Sequence, residues 1–230
     1  MHTENPHNFE YFFSKTLQCS RYAQRILQAD SNLLNWLEKN YLTPCHSDEI
    51  HFLLAQTSLN LQDETQLAKA VRYVRKQVML KLILRDLNGL ADLNEVILCM
   101  TALAEICVRL AQNCLMHALQ KQFGQPVGES SGAPQQMLVI GMGKLGGGEL
   151  NVSSDIDLIF VYAEDGETQA MAGQTEIRSL SNHEFFTRLG RRLINLIHEP
   201  TADGYVFRVD MRLRPYGDSG PLVMSFAALE

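Results

Sequence analysis

No stretch of this sequence is apolar for long enough to span a bilayer, which takes roughly 20 predominantly apolar residues. The opening "MHTENPHNFEYFF" has no basic segment followed by an apolar one. It does not read as a secretory signal, and a cytoplasmic protein is expected. Cys-x-x-Cys is absent, and the five cysteines are an odd number. Three of them, Cys99, Cys107 and Cys114, fall in a helical-looking stretch on one face with Leu103 and Leu110. That is the placement of core thiols, not of a disulfide framework. The seven histidines are scattered without metal-ligand spacing. Excess basic charge is missing as well: the formal net charge of -6 argues against binding nucleic acid through a bulk field, and leaves room for a local basic site. No repeat of fixed period is present.

The 230 residues, 46% of them hydrophobic, suffice for a sizeable core in one large domain or two small ones. Two regions have different patterns. Residues 1–130 read as helices: "LLNWLEKNYL" and "TQLAKAVRYVRKQVMLKLILRDL" carry apolar residues at three-to-four spacing, with Leu67, Val71, Val74, Val78 and Leu82 on one face. Asn94 to Gln122 is a further long amphipathic run. Lys69, Arg72, Arg75, Lys76, Lys81 and Arg85 make a basic cluster on the second helix, either a solvated face or a docking surface for a phosphate or an acidic partner. "QPVGESSGAPQQ", residues 125–136, reads as a linker or loop. Beyond it, residues 131–230 read as a mixed region. "MLVIG" and "DIDLIFVY" are strands, and "SNHEFFTRLGRRLINLIHE" is a helix opened by a capping box from Ser181 to Glu184. "GYVFRVDMRLRP" is a third strand ended by Pro215, and "PLVMSF" a short fourth. The fold class is therefore α+β.

"GMGKLGGGEL" invites three phosphate-loop readings. A P-loop fails because Leu145, not a hydroxyl residue, follows Lys144. Gly141, Gly143 and Gly146 do spell the dinucleotide fingerprint, with Glu164 at the end of the next strand. The crossover between parallel strands needs a helix of roughly ten residues, and "GGELNVSS" cannot supply it. The third reading is a nucleotidyl-transfer loop, whose glycines let backbone N–H groups approach a phosphate. Asp155 and Asp157 follow it. Side chains alternate on a strand, so both point the same way, and two ionised carboxylates so placed repel. Mg²⁺ relieves that repulsion, and two such ions stabilise attacking and leaving oxygens in an in-line displacement. Asp210 is the candidate third carboxylate. On its strand the odd positions Tyr205, Phe207, Val209, Met211 and Leu213 are apolar, while Arg208, Asp210, Arg212 and Arg214 share the other face. That face is either a salt-bridged surface or a metal ligand among phosphate clamps.

Together these residues resemble the nucleotidyltransferase superfamily of the DNA polymerase beta type. "GMGKLGGGELNVSSDIDLIF", "FFTRLGRRLI", "DGYVFRVDMRLRPYGDSGPLV" and the helical "RYVRKQVMLK" resemble, more closely, the bifunctional glutamine synthetase adenylyltransferases/adenylyl-removing enzymes. That resemblance covers nearly the whole chain and implies a helical region followed by a nucleotidyltransferase core with a small mixed sheet and flanking helices. It implies catalytic and metal-holding roles for Asp155, Asp157 and Asp210. Phosphate or nucleotide contacts fall to Gly143, Lys144, Gly146, Gly147, Ser154, Arg212 and Arg214. The wording matches the first, AMP-removing unit of such enzymes. The implied reaction is phosphorolysis, in which inorganic phosphate releases ADP from adenylylated tyrosine of glutamine synthetase with two Mg²⁺ ions as cofactors. Such control serves nitrogen assimilation. Forward adenylyl transfer from ATP uses the same chemistry and stays open, as does a non-catalytic fragment that binds glutamine synthetase or nucleotide. The resemblance places contact with a nitrogen-signalling regulator, and further helices of the unit, outside these 230 residues. Neither a nucleic acid nor a membrane partner is expected.

Overall fold

The computed structural model describes residues 8–175 and 177–229. Six helices come first among them: α1 (Phe9–Cys19), α2 (Arg21–Ala29), α3 (Ser31–Asn40), α4 (Ser47–Gln56), α5 (Glu64–Leu87) and α6 (Leu93–Phe123). Then follow β1 (Gln125–Gly128), β2 (Met137–Met142), one helical turn α7 (Gly143–Gly146), β3 (Ile156–Tyr162), β4 (Gly166–Gln169), α8 (Asn182–His198), β5 (Val209–Asp210) and β6 (Val223–Ser225). The fold is α+β, as the alternation of patterns implies. The long helices are capped: Asp63, Asp92 and, as the capping box predicts, Ser181 accept the backbone N–H groups of Gln66, Glu95 and Glu184. Among the described residues no helix is long and apolar enough to cross a membrane.

β3 organises the sheet. One edge pairs antiparallel with β2, and the other is shared by two parallel partners. β5 takes its start, Ile156 and Asp157, and β6 its end, Phe160 to Tyr162. Ile156, Leu158, Phe160 and Tyr162 are buried in the same core cluster as residues of α5, α6 and α8. Cys99, Cys107 and Cys114 lie in that core with Leu103, as their spacing predicts. The antiparallel pairing of β2 with β3 removes any crossover between them, so the dinucleotide reading fails on topology as well as on helix content.

Two sequence expectations are corrected. Residues 125–136 are not merely a loop, because β1 lies there and pairs antiparallel with β4. Period two gave no signal, since only four residues pair. The stretch 204–215 is not one strand: within it only Val209–Asp210 joins the sheet, and the alternation breaks at once. Val206 and Phe207 are both buried, and Leu213 is 51% exposed. The backbone bonds of Val206 and Phe207 go to the Ile197 carbonyl at the end of α8 instead of to a sheet neighbour.

The basic cluster on α5 is not one solvated face: Lys69 is exposed, while Arg72, Lys81 and Arg85 are buried and hold partners within the fold. Lys81 is 0% exposed and holds both oxygens of Glu49 at 2.7 and 2.8 Å. Arg72 donates to the carbonyls of Ala68, Glu199 and Gly204, which fastens α5 to the end of α8. Arg85 grips Glu95 with two bonds and donates to the carbonyls of Tyr41, Leu42 and Leu90. Burial works against the Glu95 carboxylate, but Arg85 and the Cys45 N–H overcome it and hold Glu95 below the usual carboxylate range. Arg85→Met is therefore expected to destabilise the protein by about 3–5 kcal/mol, the range for breaking a buried pair. A depressed folded-state pKa gives stability that is present above the unfolded-state value and lost as pH falls through the folded one. The variant should accordingly lose part of the wild-type acid sensitivity. Urea midpoints across the carboxylate range measure both effects; a midpoint matching wild type would contradict the anchoring role.

Candidate active site

The site is built where β2, β3 and β5 come together. Met142 pairs with Asp157, so the chain leaves β2 beside that carboxylate. Gly143 makes the departure with φ +53°, and a Cβ placed on it would lie 2.5 Å from Asp157 Oδ2. Only glycine meets both demands, the left-handed backbone and the close approach. The glycines then form the single turn α7 instead of an open loop, with Lys144 exposed on it. Neither Gly146 nor Gly147 has positive φ, so a left-handed backbone is required at Gly143 and Gly148, not at those two. Gly146 is needed for packing, since its Cβ would sit 2.6 Å from the Gly141 carbonyl. Gly147 has open room: nothing lies closer than 3.5 Å to its Cβ position.

The chain returns through a turn fixed by Asn151. Its Oδ1 accepts from the Ser153 N–H and hydroxyl at 3.0 Å and from the Ser154 hydroxyl at 3.1 Å. Ser154 thus shapes the turn before Asp155. Leu150, fully buried, pins the turn to the core, and Arg208 donates to the Ser153 carbonyl at 3.0 Å. Asp155 stands just outside β3 and is exposed. Asp157 is on the strand, half-buried, on the face opposite Ile156 and Leu158.

Asp157 and Asp210 are register partners on adjacent parallel strands, about 4.8 Å apart at the backbone. This pairing crosses 53 positions of sequence. The Val209 N–H donates to His198 Nδ1 at 2.9 Å, so the end of α8 sets where β5 runs. His198 was not among the sequence-derived candidates, and a lone histidine at a helix end carries no spacing signal. Arg212 turns back onto Asp210: its Nε lies 3.0 and 2.8 Å from the two carboxylate oxygens, and its backbone N–H donates to Oδ1 at 2.8 Å. Arg214 donates to the Met211 carbonyl at 2.7 Å. The two carboxylates are driven apart electrostatically. Burial, then the charges of Asp210 and Asp155, hold Asp157 above the usual carboxylate range. Hydrogen bonds from the Arg212 side chain and backbone hold Asp210 below it.

Among the described residues no three His, Cys, Asp or Glu side chains gather closely enough to hold a metal ion. Arg212 engages both oxygens of Asp210. The residues still fit Mg²⁺ in kind, because this ion is usually held by one or two carboxylates, with waters and substrate phosphates completing its shell. A repelling pair with an adjacent glycine turn meets that requirement.

A glycine turn leading from β2 and carboxylates paired across β3 and β5 are the arrangement expected of a nucleotidyltransferase. The model of one family, described as glutamate-ammonia ligase adenylyltransferase, matches residues 13–230, and the chain belongs to that family. It is 50% identical over 225 residues to a bifunctional glutamine synthetase adenylyltransferase/adenylyl-removing enzyme of Chromobacterium violaceum, covering 98% of this chain and 24% of the relative. Enzymes of the same name from Nitrosomonas eutropha and Pseudomonas aeruginosa are 49% and 48% identical, covering 94% and 90% of this chain and 23% and 21% of the relatives. The chain spans about a quarter of the length of these curated relatives.

Proposed function

We propose that this chain carries the adenylyl-removing half-reaction of its family. Inorganic phosphate attacks the adenylyl phosphorus on a tyrosine of glutamine synthetase. The bond from that phosphorus to the tyrosine oxygen breaks, the oxygen takes a proton, and ADP leaves. The observation that carries the reading is the Asp157–Asp210 register pair beside Gly143, with its two carboxylates driven to opposite sides of their usual range. The resemblance of the segments around Asp155 and Asp210 to the first, AMP-removing unit of such enzymes supports removal over addition of AMP.

Asp157 and Asp210 would hold Mg²⁺, which would supply charge neutralisation at the phosphoryl oxygens, with Asp155 adding negative charge nearby. Gly143 keeps space open against Asp157, and Lys144 presents a cation at the same turn. Arg212 already recognises a carboxylate through its fork, and the same fork suits phosphate. Attack by phosphate on a phosphodiester brings two anions together, and fixed cations offset their repulsion.

Arg212→Gln is expected to raise the KM for inorganic phosphate by about tenfold or more, the loss of one charge-assisted bond. The KM for adenylylated glutamine synthetase, which docks over a wider surface, should change much less. Steady-state kinetics with the two substrates varied separately makes the comparison. A variant with normal phosphate KM and impaired protein KM would move Arg212 from phosphate binding to docking.

A further inference from the structure

Arg75 is the exception among the buried cations of α5. Arg72, Lys81 and Arg85 each hold carboxylate or carbonyl oxygens. Arg75 is 7% exposed, yet among the described residues no carboxylate lies within ion-pair distance of it. Its Nε is buried without a hydrogen-bond partner, and among the described residues its one hydrogen bond is a long one, 3.3 Å to the Tyr22 hydroxyl. Three rings surround the guanidinium: Tyr205 at 4.7 Å, Tyr22 and Phe207 at 5.9 Å. Ring faces attract a cation but do not satisfy N–H donors. Burial raises the Tyr22 hydroxyl pKa, so this phenol stays neutral and provides no counter-charge. A buried charge left in this way is expensive unless something pairs with it.

A groove of about 410 Å³ opens onto Arg75, lined also by Tyr22, Asp86, Ser153, Tyr205 and Arg208. Its volume is that of a small-ligand site. Its lining brings α5 together with the lead-ins to both β3 and β5. Arg208 is exposed and tethered there through the Ser153 carbonyl, which leaves other guanidinium donors for a ligand. Asp86 is exposed, so a single repelling carboxylate faces two arginines.

We infer that this groove is a second anion site, in which Arg75 and Arg208 bind a phosphate group. Two guanidinium forks offer more donors than a single carboxylate takes, and a tetrahedral phosphate accepts from both. The phosphate has two possible sources, free inorganic phosphate or a nucleoside monophosphate whose ring stacks on Tyr205. Because Ser153 and Arg208 stand two residues before Asp155 and Asp210, occupancy would brace both catalytic lead-ins against α5. The inference does not depend on the direction of the reaction.

Thermal unfolding without divalent metal tests it, with phosphate titrated against chloride at constant ionic strength and AMP titrated in a parallel arm. The wild-type Tm should rise saturably with phosphate. Arg208→Gln should weaken the apparent Kd by about tenfold. Arg75→Gln should abolish the rise, while Arg212→Gln should keep it. Should Arg75→Gln fail to fold, the exposed Arg208 decides. AMP binding at least about tenfold tighter than phosphate, as stacking predicts, assigns the nucleotide, and equal binding assigns the free ion. No saturable rise beyond that in chloride overturns the site. So does a rise that Arg212→Gln removes and Arg208→Gln leaves intact, since the anion then sits at the carboxylate pair.

Discussion

Asp157→Asn is expected to lower turnover by about a thousandfold or more, the scale for removing a group that fixes transition-state charge, and to leave the fold as stable as wild type or more so at neutral pH. Burial and the two neighbouring carboxylates hold folded Asp157 above its usual range. A raised carboxylate pKa contributes stability that is fully present below the unfolded-state value and lost as pH rises through the folded one. At neutral pH the ionised group therefore works against folding, and the neutral amide removes that opposition while being a poor ligand for Mg²⁺. A salt-bridged surface residue would behave differently, with little loss of turnover. Turnover and Tm measured on the same preparation separate the two. Wild-type turnover in Asp157→Asn, or a turnover loss fully matched by unfolding, would contradict the assignment.

Gly143→Val is expected to be the most damaging change in the glycine turn, and Gly147→Ala close to neutral. Valine at Gly143 meets two penalties. A left-handed backbone costs a non-glycine residue about 1–2 kcal/mol. Its Cβ would also overlap the Asp157 carboxylate, 2.5 Å away, so either the turn or the carboxylate must move. Displacement of a catalytic group by about 1 Å can cost about a hundredfold in rate. Turnover should fall by about that factor, beyond any loss of stability. At Gly147 the backbone is in the ordinary helical region and the nearest atom is 3.5 Å from the added Cβ, so alanine should change turnover less than about twofold. Equal effects at the two positions would mean that the turn serves packing alone.

What was legible in the sequence is local. The capping box at Ser181 and the apolar run of β3 each announce themselves within a few residues, and α8 and β3 stand where those signals put them. The glycine turn and Asp155-x-Asp157 were likewise visible as a constellation. What was not legible depends on distant partners. Alternation in "YVFRVDMRLR" suggested a long strand, but β5 pairs only with Ile156 and Asp157, and the same edge of β3 pairs with β6 from Phe160 onward. The basic residues of α5 looked like a surface because Glu49, Glu95 and the carbonyls near residue 200 are remote in sequence. His198 and Arg75 gain meaning only from the elements packed onto them. The glycine run pointed to close approach, without showing that Gly143 is the glycine packed against the Asp157 carboxylate.

The most direct test of phosphorolysis is the fate of labelled inorganic phosphate. The protein is incubated with adenylylated glutamine synthetase, Mg²⁺ and radiolabelled phosphate, and the nucleotide products are separated. Label in the β-position of ADP, released in step with the loss of AMP from tyrosine, is the expected result. Unlabelled AMP, or AMP added to tyrosine from ATP with no phosphate-dependent ADP, would contradict it.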